Sequence, residues 1–294
     1  MSLFKKGNKN NILSKDKNDK NDKNEENITT TDKDYEYGTY QLTDEDISIN
    51  YINNNILSED NNDVLNVLDI DYIDDYKYKY MDKVTVINLL SYVSNIGKES
   101  FSFCEELTDF NFTAECDNLT INDFAFQYCY KLKHFNFKGN ISKLGQGAFS
   151  NCKCLESINL TGLDIIDMNA FLLANSLSNV IMPDVEIIKS GAFLFCKSLS
   201  NINLQASTKL HTIESFAFSG CNLQKLTIPN SVRYIHGYAF ENNFNLTDVY
   251  FETNKDSIID LGDDIFKNNK NVIIHTQNKD IIDYCKKFKY NYTR

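Results

Sequence analysis

The stretch Ile188–Leu204, IKSGAFLFCKSLSNINL, decides the reading of this chain. Ile188 is followed by Phe193, Cys196, Leu199, Ile202 and Leu204, and the same spacing returns along the sequence. It appears as Ile96-Phe101-Cys104-Leu107-Phe110-Phe112, as Ile121-Phe126-Cys129-Leu132-Phe135-Phe137 and as Leu144-Phe149-Cys152-Leu155-Ile158-Leu160. Further copies run Ile166-Phe171-Ala174-Leu177-Val180-Met182 and Ile235-Phe240-Asn243-Leu246-Val249-Phe251. The copy Ile213-Phe218-Cys221-Leu223-Leu226-Ile228 is one residue short between Cys and Leu, and Leu261-Phe266-Asn269-Val272 is a degenerate last one. The keying phenylalanines 101, 126, 149, 171, 193, 218, 240 and 266 set a period of 22 to 26 residues.

Within each unit the closing L-x-x-I-x-L alternates with period two, which predicts a short strand with one buried face. Successive copies run the same way, so their strands must pair in parallel. The A-F-x-x-C piece reads as one turn of α- or 3₁₀-helix. An apolar pair ahead of it, such as Val185/Ile188 or Val232/Ile235, predicts an extended segment on the far side of the coil. No unit buries its own apolar face, so only a stacked array is stable. A period of this length falls in the leucine-rich-repeat range.

The motif I-x-x-x-A-F-x-x-C-x-x-L-x-x-I-x-L resembles the BspA-type, or Treponema pallidum-type, leucine-rich repeat, with Phe and Cys at fixed offsets in five copies. The resemblance covers about two-thirds of the chain. It implies a leucine-rich-repeat solenoid: a curved, right-handed coil with a parallel β-sheet on its concave face and short helical turns opposite. It also implies a binding rather than a catalytic role. Many relatives are surface proteins of bacteria or protists that contact host matrix or other cells, and others are intracellular.

The flanks divide the chain into three. Residues 1–34 are Lys, Asn and Asp in near-alternation, with eight Lys against seven acids, and are expected to form a disordered low-complexity tail. Residues 35–83 carry twelve acids and three bases, which accounts for −9 of the net −11. Thr43-Asp44-Glu45-Asp46 looks like a helix start, and Val64, Leu65, Leu68 and Tyr72 suggest a second amphipathic helix. This acidic extension is expected to cap the first repeat, with a separate partner-binding segment as the competing reading. Residues 84–294 are the expected array of about eight repeats. Its last stretch, Asp280–Lys289, is expected to close the final coil as a helix, with Ile281, Cys285 and Phe288 on one face.

Five of the eight cysteines (104, 129, 152, 196 and 221) fill one repeat station, shared with Ala174 and Asn243. Small buried packing explains them, and no second ligand pair stands at zinc-site spacing. Neither metal nor other cofactor is expected. Residues 84–294 carry 19 bases against 22 acids without a basic stripe, which argues against nucleic acid. His134, His211, His236 and His275 fall at unrelated stations, without HExxH, GxSxG or a P-loop, so no enzyme is expected. No apolar run is long enough to span a membrane. Membrane insertion is therefore not expected. The N-terminal residues show no signal-peptide core, so a cytoplasmic location is expected, with the cell surface by another route as the alternative.

Between the last two buried residues of each strand sits one outward residue: Asn111, Asn136, Asn159, Ile181, Asn203, Thr227 and Tyr250. The column before it includes Asp109, His134, Lys225 and Asp248. These columns are the expected protein-binding surface of a scaffold or recognition protein, with a surface adhesin as the alternative and an enzyme of unrecognised type as the third. The competing structural reading is an asparagine ladder or a plain solvated face. Limited proteolysis is expected to strip residues up to about 34 rapidly and leave a core beginning between about residues 40 and 84. A protected tail would contradict that division.

Overall fold

The computed structural model describes residues 63–114, 116–255 and 259–294. They form a parallel β-solenoid of about nine coils. One side of all coils but that of Phe193 supplies a strand to a first sheet, which comes in three pieces. Val64–Val67, Val86–Leu89, Asp109–Phe112 and His134–Asn136 pair in sequence order. Ser157–Asn159 pairs with Asn179–Ile181. Lys225–Ile228, Asp248–Phe251, Ile273–His275 and Asn291–Thr293 complete the series. The far-side apolar pairs form a second set of parallel strands, from Tyr72–Ile73 to Asp260–Leu261, in groups of four and five.

One boundary and one element differ from the sequence reading. Val64–Val67 is a strand, not part of a helix, and pairs in register with Val86–Leu89. The coil stack thus begins about twenty residues before residue 84. The alternation of Leu65 and Val67 inward with Val64 and Asn66 outward is a period of two that a helical pattern with Leu68 and Tyr72 had masked. The tail of residues 1–34 and the helix start at Thr43 lie outside the described residues.

The core is a stack of rings. Tyr78, Phe101, Phe126, Phe149, Phe171, Phe193, Phe218, Phe240 and Phe266 lie one above another, with centroids 5.1 to 5.7 Å apart and planes within 2° to 19° of parallel. Each offset-stacked pair contributes about 0.5–1.5 kcal/mol beyond the area it buries. Tyr78 occupies the first station and was hidden in sequence by the missing Phe and Cys of its copy.

The A-F-x-x-C segment is realised as linked turns rather than a continuous helix. Around Phe193 the amides of Leu194 and Cys196 donate three residues back, to Gly191 and Phe193. The intervening amides of Gly191, Phe193 and Phe195 donate to Ser215, Ala217 and Ser219 of the next coil, at 2.8 to 3.0 Å. To aim those amides outward the residues two before and two after the ring take positive φ, +64° at Gly191 and +61° at Phe195. A β-carbon on Gly191 would meet Asn169 Oδ1 at 2.3 Å, so this coil uses glycine there.

The cysteine station does more than fill space. The Sγ–H of Cys129 donates to the carbonyl of Phe101 at 3.1 Å, Cys152 to Phe126 at 3.1 Å and Cys196 to Phe171 at 3.2 Å. Asn243 and Asn269 do the same with their amides, to Phe218 and Phe240, each at 2.8 Å. A buried donor is therefore what Cys and Asn share at this station, which packing alone did not explain. All eight cysteines are unbridged. Burial pushes the Cys129 and Cys196 thiols well above their ordinary range and Cys221 up to about 12.

The first sheet breaks where the coil of Phe193 reaches Asn203. There the asparagine Oδ1 accepts from the Ala206 amide and caps a short 3₁₀ turn, Leu204–Ala206. A side chain that offers the backbone an alternative partner diverts it from the ladder. At the C-terminus the expected helix is present as Lys279–Phe288, started by Asn278, whose Oδ1 accepts from the amides of Asp280 and Ile281. It buries Ile281, Ile282 and Cys285, while Phe288 stays half-buried against Tyr284, 4.6 Å away.

Phe193→Ala removes a ring from the middle of the stack and is expected to lower stability by about 3–5 kcal/mol. Asn203→Ala, which removes only an exposed turn cap, is expected to lower it by about 1 kcal/mol. Chemical denaturation of the two variants checks this, and equal losses would contradict the assigned inside and outside of the coil.

The raised thiol pKa values imply that Cys129, Cys196 and Cys221 stay protonated at pH 8. They are expected to alkylate slowly in the native protein and rapidly after unfolding. Fast native alkylation of these three would contradict their burial.

Candidate functional site

The outward residues of the first sheet divide into two halves with different chemistry. In the N-terminal half the expected column becomes an amide ladder. Asn88 Nδ2 donates to Asn66 Oδ1 at 2.9 Å, Asn111 to Asn88 at 2.9 Å and Asn136 to Asn111 at 2.6 Å. These amides largely satisfy one another. Beside them His134 Nδ1 lies 2.7 Å from Asp109 Oδ1, with His134 Nε2 3.9 Å from Glu156. Partial burial pushes the Asp109 carboxyl up, but hydrogen bonds from Thr108 and His134 outweigh it and hold the group below its ordinary range.

The middle of the column is irregular. Asn159 Oδ1 accepts from the amide and the hydroxyl of Thr161, and so leaves the ladder. Ile181 is exposed, and Asn203 is occupied with its turn. These three expected site residues are therefore not brought together.

The C-terminal half opens into a cleft of about 960 Å³. It gathers Thr227 and Tyr250 from the expected column, together with His275 from the next strand. Tyr250 and His275 are in register and stack, with centroids 4.2 Å apart and planes 8° from parallel. His275 is fixed at both nitrogens: Nε2 lies 2.8 Å from Asp248 Oδ1 and Nδ1 lies 2.8 Å from Thr293 Oγ. Hydrogen bonds from His275 and Thr247 hold the Asp248 carboxyl below its ordinary range. Lys225 stands opposite Asp248 in the strand register. Phe251, Glu252, Thr253, Asn254, Lys255, Thr276, Gln277 and Arg294 complete the lining.

His275 was not among the expected site residues. In the coil of Phe266 the strand is one residue early, so that Ile274 rather than residue 275 pairs with buried Val249. The Phe218 copy is likewise one residue short, at the gap after its cysteine, and there too the outward residue, Thr227, comes one position early. Lys255 and Arg294 carry no repeat signal at all. With His275 held at both ring nitrogens, the cleft has a rigid aromatic wall rather than a free base. Among the described residues no group of histidine, cysteine and carboxylate side chains could hold a metal ion.

A model of the BspA type leucine-rich repeat region matches residues 50–178 and 164–292 in six copies. No curated protein matches the chain in a sequence search. Solved structures with similar folds include a leucine-rich cell surface protein from Faecalibacterium prausnitzii, 21% identical, with a TM-score of 0.50 over 70% of this chain and 64% of that one. A leucine-rich repeat protein from Bacteroides ovatus is 18% identical, with a TM-score of 0.47 over 77% of this chain and 85% of that one. The repeat match runs through the whole described solenoid, and the chain belongs to the BspA-type leucine-rich repeat family.

Proposed function

We propose that the protein is a non-catalytic recognition module that binds a protein partner on the outward face of the first sheet, at its C-terminal half. The observation that carries this reading is the cleft that sets Thr227 and Tyr250 against a fixed His275. Tyr250 is 41% exposed, with one ring face already packed, so it offers a rigid amphipathic anchor at little entropic cost. The N-terminal half, whose amides bond to each other, supports the sheet and contributes less to recognition.

The protein acts as an intracellular scaffold in this reading, which is supported by thiols that are buried one per coil and donate to backbone carbonyls, the packing that a reducing compartment favours. The second reading, a cell-surface adhesin, draws on the Faecalibacterium protein of similar fold, which is named as a cell surface protein. Cell-surface labelling with an impermeant reagent separates the two: labelling of the intact cell's protein would overturn the intracellular reading.

Affinity capture should be run in parallel with the full chain, Tyr250→Ala and, as a control in the amide ladder, Asn88→Ala. At least one captured protein is expected to be retained by the first and third and reduced about tenfold or more by Tyr250→Ala, the loss of one anchor residue. Identical captured sets for Tyr250→Ala and the unaltered chain, with melting temperatures unchanged, would overturn the assignment of the face.

A further inference from the structure

The far-side strands carry an outward stripe of their own. In the five-stranded group Ile165, Ile187, Thr212, Tyr234 and Asp260 stand side by side in register. Lys143 holds the same repeat position in the coil before Ile165. Ile165 is 38% and Tyr234 49% exposed, and Ile187 and Thr212 are half-buried. The outward side of a sheet in water is ordinarily polar, as Asn95, Thr120 and Lys143 are at this position in the neighbouring group. An exposed apolar stripe rimmed by charge marks an interaction surface.

The charges reverse sign along the stripe, which runs from Lys143 to Asp260. The column before it reads Asp164, Glu186, His211 and Arg233, and the column beyond the buried isoleucines reads Asp167, Lys189, Glu214 and His236. Consider a half-turn about an axis along the strands, midway between Ile187–Ile188 and Thr212–Ile213. It reverses the order of the coils and lays each column over the same column of a second copy. In the stripe Lys143 then meets Asp260, Ile165 meets Tyr234 and Ile187 meets Thr212. In the flanking columns Asp164 meets Arg233, Glu186 meets His211, Asp167 meets His236 and Lys189 meets Glu214. Each carboxylate thus faces a basic group. The alternative half-turn, along the stripe, would set Asp164 against Asp167 and Arg233 against His236. Within the chain Lys189 lies 3.1 Å from Asp167 and Lys209 lies 3.5 Å from Glu186. Both pairs are partly exposed and weak in water, so they do not withdraw these charges from the surface.

We infer that this face docks a second copy of the chain, in a two-fold dimer whose axis passes between the strands of Ile187 and Thr212. An isologous interface uses one patch on both copies and must be complementary to itself. A stripe with opposite charges at its two ends meets that demand. The dimer face is on the other sheet from Tyr250, so the proposed recognition face of each copy is not part of it. Six coils at a strand spacing of about 4.8 Å give a face roughly 25 Å long. That is small for a permanent complex, and the dimer is expected to be weak, with a Kd on the order of 0.1 mM.

Sedimentation velocity of the full chain, from about tenfold below to about tenfold above that Kd, tests the inference. The sedimenting mass is expected to rise from one chain to two and no further. Asp164→Arg and Arg233→Asp are each expected to raise the Kd about tenfold or more, since each sets like charges together at two symmetry-related places. An equimolar mixture of these two variants is expected to dimerise about as well as the unaltered chain, because each supplies the charge that the other lacks. Both side chains are exposed, and thermal melts check that the fold survives. Arg233 also donates to the carbonyls of Asn230 and Val232. If its replacement lowers the melting temperature, Lys143→Asp and Asp260→Lys form the second pair for the same mixing experiment. A single-chain mass at every concentration overturns the inference, as does growth beyond two chains. A dimer that none of the single variants weakens overturns the assignment of the face. Weakened single variants whose mixture does not recover overturn the two-fold pairing.

Discussion

Everything in this structure depends on backbone amides that leave their own coil. At each junction described around Phe193, three amides donate to the next coil, and they do so because the flanking residues adopt a left-handed backbone. For a residue other than glycine that conformation costs about 1–2 kcal/mol. The cost is offset by a third hydrogen-bonded ladder beside the two sheets, and by the ring stack that the ladder brings into contact. Neither contribution exists in an isolated unit. Cooperativity between neighbours therefore follows from geometry as well as from burial.

The same arrangement explains the chemistry of the cysteine station. Most ring residues' carbonyls take a side-chain donor from the coil that follows, a thiol in five places and an asparagine amide at Phe218 and Phe240, while Ala174 offers none to Phe149. Asn243 additionally accepts from the Leu223 amide, which ties the shortened copy to the coil that follows it. Irregular repeats are thus accommodated by local polar bonds, as at Asn203, without disturbing the stack of rings.

The alternation of buried and outward residues, the ring stations and the C-terminal helix were legible in the sequence, since each follows from a period. What the sequence obscured was local. The first strand was concealed because Tyr78 replaces Phe and no cysteine follows it, so Val64, Leu65, Leu68 and Tyr72 read as one face of a helix. The helical turn expected at A-F-x-x-C was not formed as a helix because half of its amides are shared with the neighbour. In the candidate site, Thr227 and Tyr250 were readable from the column, whereas His275 was displaced by one residue in a degenerate copy. Thr253, Lys255 and Arg294 lie beyond the repeat pattern, and only the folded chain brings them to one place.

The ladder of turns also bears on how such a chain changes length over generations. Regular coils present the same three donors on one side and acceptors on the other, so a duplicated regular coil in the interior finds partners above and below it. Gain or loss of material is therefore tolerated in whole coils, while single-residue changes are confined to the loops and to the short gap after the cysteine station. The cleft is built by the last coils and the final strand Asn291–Thr293. Interior duplication would lengthen the rod and leave that terminal feature intact, which lets reach and recognition evolve separately.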